Sequence, residues 1–131
     1  MHQNTLIELG GGENVAAGLE DNDWSQVSYE QLLAWDPQVI LIASDANYTR
    51  EDLLSDPQLA GVDAIEAGRV YAMPSSVEAW DSPVPGALMG SLWTASILHP
   101  ELYSAQQFQE AVSAFYGEFY HIELDSSLLT R

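Results

Sequence analysis

Few residues in this chain are of types that make or break bonds. Histidine occurs three times, as His2, His99 and His121, and cysteine is absent. Without cysteine there is no thiol nucleophile, no thiolate metal site and no disulfide framework. Nucleophilic catalysis needs a base and an orienting group within reach of the nucleophile. His99 stands before Pro100 at a helix end, where its ring can meet the last carbonyls, and His121 follows an aromatic helix, so both read as structural. Paired carboxylates would suit glycoside hydrolysis. With 20 Asp and Glu such pairs arise by chance and none is singled out, so a hydrolase-like enzyme stands only as an alternative. No His, Asp or Glu group has metal-ligand spacing, and Gly10-Gly11-Gly12 lacks the lysine and hydroxyl of a phosphate loop. The pattern calls for no cofactor and no catalytic residue. It points to binding.

Two segments carry that binding chemistry. One is Ser44-Asp45-Ala46-Asn47-Tyr48, after an apolar strand; the other runs from Ser75 through Glu78, Trp80 and Asp81 to Ser82, after a second strand. Trp80 sits among polar residues, where an indole is costly to expose unless it packs or awaits a ligand. Asp81 has a competing role as a turn former two residues before Pro83. Trp80, Asp81, Glu78, Asp45 and Tyr48 are the expected ligand contacts.

The elements that must position these loops follow from local signals. Asn4 to Leu9 reads as a short helix ended by the glycines that follow. Ser28 with Gln31 caps a helix of about two turns, stopped at Asp36-Pro37. Val39 to Ala43 is a β-rich apolar run, expected as a strand buried on both faces. Thr49 with Asp52 forms a capping box, Pro57 restarts a helical turn, and Gly68 closes the stretch before a second strand from Arg69 to Met73. Ser82-Pro83 opens a helix that runs to about Leu98, with Gly86 and Gly90 on one face. A last helix, about Ala105 to Tyr120, aligns Phe108, Val112, Phe115 and Phe119 as a core stripe.

Strands alternating with helices define an α/β fold: a three-layer helix/sheet/helix lobe with a mostly parallel central sheet, occupying residues 1–131 as one unit with 121–131 frayed. Open sheets of this kind bind ligands beyond the carboxyl ends of their strands, where the two loops lie. Two strands are fewer than a sheet usually has, which implies that neighbouring strands belong to sequence before Met1.

Charge narrows the partners. Against 20 acidic residues stand only Arg50, Arg69 and Arg131, a net charge of -17. Such a chain repels phosphate backbones, so nucleic acid is not a partner. No apolar run reaches the roughly 20 residues of a membrane span, so no direct membrane insertion is expected. Met1 is not followed by the basic and apolar regions of a signal peptide, so if the protein is exported this chain is a piece of it. An acidic protein-interaction or sensor lobe is a further alternative.

The string GGENV at 11–15, the stretch from Trp24 through SYEQLLAWDPQVILI to Ile42, AIEAGRVYAMP at 64–74 and LHPELY at 98–103 occur in an order and spacing that resembles one family. It is that of the binding proteins for iron-siderophores, haem, cobalamin and molybdate that serve ABC importers. The likeness runs from about Leu6 to Tyr120 and is to the C-terminal lobe. It implies a missing N-terminal lobe of the same protein, a ligand held between lobes, a periplasmic or extracytoplasmic location at the membrane, and delivery to permease subunits. Residue Glu30, in the motif before the first strand, matches the glutamate with which this family docks to arginine pockets of the permease. A metal-containing small molecule is the implied ligand. The acidic Glu78 and Asp81, without an arginine nearby, favour an iron chelate or corrinoid over a bare anion such as molybdate.

Overall fold

A computed structural model describes residues 2–19, 26–74, 80 and 87–119. These divide into two compact units, one of residues 14–73 and one joining residues 1–13 to 74–131.

The unit 14–73 is built on two parallel strands, β1 (Ile40–Ile42) and β2 (Val70–Ala72), in register Ile40 with Val70, Leu41 with Tyr71 and Ile42 with Ala72. The helix α2 (Tyr29–Trp35) starts where Ser28 accepts a hydrogen bond from the Gln31 N–H. It stops at Asp36, whose φ of 44° is left-handed and prevents another helical turn. After β1 comes α3 (Arg50–Leu54), opened by a complete capping box in which Thr49 and Asp52 satisfy each other's backbone N–H groups. Asp56 caps a 3-10 turn at Pro57–Leu59, and α4 (Asp63–Glu66) ends before Gly68, at φ 69°. Ile42, Leu59, Val62, Ala64, Ile65 and Val70 form the core, with Leu32, Ile40, Ala46, Leu53 and Leu54 against it. Each fully buried Leu, Val or Ile contributes about 1.5–3 kcal/mol.

Both strands are shorter than expected, and β1 is not buried on both faces: Ile42 is buried while Ile40 and Leu41 are only half-buried. The run of apolar residues predicted cover on each side, but the core lies on the side of Ile42. Arg50 replaces a neighbouring strand along β2, its Nε donating to the Val70 carbonyl at 2.8 Å and its Nη2 to that of Gly68 at 3.0 Å. A guanidinium there occupies an edge that another chain would otherwise pair with.

In the other unit α1 (His2–Leu9) packs on α5 (Ala87–Leu98), and α5 on α6 (Ala105–Phe119). The glycine stop after α1 is a Schellman motif: Gly12 N–H donates to Ile7 O, and Gly11 N–H, at φ 83°, donates to Glu8 O. A Cβ at Gly10 would lie 2.7 Å from Thr94 Cγ2 and 2.8 Å from its Cβ, so something there must shift, whereas at Gly12 it would meet the movable end of Leu98 at 2.6 Å. Leu6, Trp80, Met89, Trp93, Ile97, Phe108, Val112 and Tyr116 are buried here. The α6 stripe therefore runs 108, 112, 116 instead of through Phe115, which is half-buried, and Phe119, which is exposed. Ser82, Pro83 and Gly86 lie outside the described residues.

Candidate functional site

The loop after β1 leaves the sheet at Ala43, turns through an Ala46 N–H to Ala43 carbonyl bond of 3.2 Å, and reaches the Thr49 cap of α3. Asp45, Asn47 and Tyr48 are exposed along it. The sequence placed Asp45 and Tyr48 there as ligand contacts, and the structure brings both to the same short loop at the carboxyl end of β1. They offer a carboxylate and a phenol, and Asn47 adds an amide between them; none of the three is a cation. Among the described residues no three His, Asp or Glu converge to hold a metal ion.

At the carboxyl end of β2, Met73 and Pro74 are buried, and Glu78 and Asp81 lie outside the described residues. The structure places Trp80 in a core and not on an open loop surface. It is 1% exposed, its ring meets Phe108 edge-on at 5.9 Å, and its indole N–H donates to the Tyr116 hydroxyl at 2.8 Å. The single polar atom of the side chain is thus committed inside the protein. Small Gly90 allows this, since a Cβ there would lie 3.0 Å from the Trp80 carbonyl. The polar neighbours of Trp80 suggested a surface loop, but an indole can turn inward from such a segment once a buried hydroxyl accepts its N–H.

Glu30 is exposed in the first turn of α2, where its charge favours the helix dipole. The helix has no buried residue and is fastened at both ends instead. The Tyr29 hydroxyl donates to Asp56 Oδ2 at 3.0 Å, and the Asp63 N–H donates to Asp36 Oδ1 at 2.8 Å. The hydrogen bond to Asp56, and then its charge, raise the Tyr29 pKa above the usual tyrosine value. A raised acid pKa gives stability that is complete below the unfolded value and lost only as pH rises through the folded one, so this tie is intact throughout neutral pH. Sequence reasoning missed these two ties, because each joins positions 27 apart with no local signature.

The His99 backbone N–H donates to the Ala95 carbonyl of its own helix at 2.8 Å, but its ring turns to α1: Nε2 lies 2.8 Å from the Gly11 carbonyl, to which it donates, with Nδ1 3.7 Å from Glu101. The sequence put the ring against the last carbonyls of its own helix; the contact is instead to the α1 cap.

These features match a family model described as periplasmic binding protein over residues 4–77, and the chain belongs to that family. It is 33% identical over 116 residues to the molybdate-binding protein MolA of Haemophilus influenzae, covering 88% of this chain and 33% of MolA. The chain thus spans about a third of the length of that relative. The solved structure of MolA with molybdate bound superposes with a TM-score of 0.79 at 30% identity, over 95% of this chain and 38% of the other. A periplasmic solute binding protein of Veillonella parvula gives a TM-score of 0.84 at 24% identity, over 97% of this chain and 40% of that one. Helicobacter pylori CeuE in a Ni-His complex gives 0.80, also at 24% and over 97% and 40%. The last two likenesses establish the fold alone: an α/β architecture with a parallel sheet, as the sequence implied. The relatives are binding proteins and not enzymes.

Proposed function

We propose that this chain forms one lobe of an extracytoplasmic solute-binding protein that delivers a metal-containing small molecule to an ABC importer. The observation that carries the reading is the likeness to MolA across 88% of the chain, which includes the β1 loop, the β2 strand and the Glu30 helix. Solute rests beyond the carboxyl end of β1, with Asp45 and Tyr48 among its contacts. Glu30 presents the loaded protein to the arginines of the permease.

The solute is a tetrahedral oxyanion of the molybdate kind. Such anions are held by neutral N–H and O–H donors as readily as by cations, so the net charge of -17 does not stand against it. Asn47 and Tyr48 supply donors of this kind. A second reading, an iron chelate such as a siderophore or haem, is favoured by the carboxylate and phenol oxygens of Asp45 and Tyr48 on a loop without a cation. Equilibrium dialysis of the complete two-lobe protein against molybdate, tungstate, sulfate, a ferric siderophore and haem separates the two. Saturable uptake of molybdate and tungstate but not sulfate is expected. Uptake of the ferric complex alone would install the second reading, and silence across the panel would overturn both.

A further inference from the structure

The loop after β1 carries three side chains that do not hold one another. Asp45, Asn47 and Tyr48 are all exposed, and their side chains make no hydrogen bond among the described residues. Binding by such groups is only as good as the backbone that spaces them, because a loop ordered at the moment of binding gives up affinity. Their spacing therefore depends on how the two ends of the loop are fixed.

One end leaves β1 and is turned by the Ala46 N–H bond to the Ala43 carbonyl. The other end is the start of α3. That helix is five residues long and buries none of them, so its own purchase is limited to half-buried Leu53 and Leu54 against the core. Its capping box sets the direction of entry but fastens Thr49 only to Asp52, three residues on. Arg50 supplies the link to the rest of the unit. It is the first residue of α3, and its Nε and Nη2 donate to the Val70 and Gly68 carbonyls, 20 and 18 positions away. A planar guanidinium that donates to two carbonyls at once fixes orientation as well as distance. In a chain with 20 acidic residues this cation forms no ion pair among the described residues, although Glu51 and Asp52 follow it directly. Its donors are committed to backbone position.

We propose that Arg50 is a positioning residue of the solute site: by tying the first residue of α3 to β2, it sets the spacing of Asp45, Asn47 and Tyr48 before solute arrives. The inference rests on the reading of this loop as a solute contact and deepens it. It also separates two parts that an arginine could play beside an anion. Lysine would keep a charge that attracts the solute, but it lacks the fork that spans two carbonyls.

The test compares the complete two-lobe protein as wild type, Arg50→Lys, Arg50→Met and Asp56→Ala. Two quantities are read: hydrogen–deuterium exchange of the segment 44–49 without solute, and molybdate affinity by equilibrium dialysis. Both Arg50 variants are expected to exchange faster in 44–49 and to bind molybdate about tenfold more weakly, chiefly through faster release. Asp56→Ala removes the Tyr29 tie and the cap of the 3-10 turn in the same unit, away from the loop. It is expected to lower the melting temperature and to bind molybdate as the wild type does. Arg50→Lys matching the wild type in both readouts would overturn the inference, since the charge alone would then suffice. An equal loss of affinity in Asp56→Ala would overturn it as well, because any loosening of the unit would then do the same. Faster exchange in the Arg50 variants, with no molybdate uptake by the wild type, would instead sink the solute reading and with it the part given to Arg50 in binding.

Discussion

At the scale of single residues, two tryptophans with almost equal burial have opposite polar fates. Trp80 is 1% exposed and donates its indole N–H to Tyr116; Trp93 is fully buried, and its N–H has no partner among the described residues. A buried donor left unpaired costs about 1–3 kcal/mol, whereas a made hydrogen bond contributes roughly 1 kcal/mol. Replacing Trp80 by Phe loses volume and a hydrogen bond and leaves the Tyr116 hydroxyl without that donor. Replacing Trp93 by Phe loses similar volume but also removes the unpaired N–H. Trp93→Phe should therefore be the milder change, by about 1 kcal/mol or more in urea unfolding. The reverse order would mean that the Trp93 N–H meets an acceptor in solution. The same comparison bears on legibility: from sequence Trp80 stood out by its polar neighbours and Trp93 by nothing, yet both are core. Burial of an indole depends on which hydroxyl lies 36 positions away, and spacing along the chain does not carry that.

At the scale of elements, local chemistry was readable and long-range chemistry was not. The Ser28 and Thr49 caps, the stop at Asp36 and the glycine turns are written in three to five consecutive residues, and each forms as expected. In α6 the buried stripe passes through Tyr116, four residues after Val112, and not through Phe115 and Phe119, because burial follows helical phase and not aromatic identity. A further box at the start of α6, Ser104 with Gln107, was equally readable from its spacing. Where local and distant signals meet, a sharper prediction is possible. The α1 cap needs Gly11 both for its φ of 83° and for space, since a Cβ would lie 2.9 Å from His99 Nε2. Gly11→Ala should lose about 2 kcal/mol, roughly half from the left-handed backbone and half from the displaced His99 hydrogen bond. In a His99→Ala background the same substitution should cost only the backbone half. Equal costs in both backgrounds, measured by a double-mutant cycle, would show that the histidine yields freely.

At the scale of the whole molecule, charge is the dominant physical fact. The 20 acidic residues face three arginines. Of those, Arg50 is bound to backbone carbonyls, and His99 Nδ1 lies 3.7 Å from a Glu101 carboxylate oxygen. A net charge of -17 repels itself, and that repulsion works against the compact folded state. Such repulsion reaches about 10 Å at 0.1 M salt and about 3 Å at 1 M. Raising sodium chloride from 20 mM to 1 M should therefore raise the melting temperature. A gain of about 1 kcal/mol would appear as roughly 4 °C or more. Choline chloride at equal ionic strength should act as well as sodium chloride, because screening needs no particular cation. A rise with sodium alone would point to bound sodium instead, and a fall with either salt would mean that attractive pairs outweigh the acidic excess.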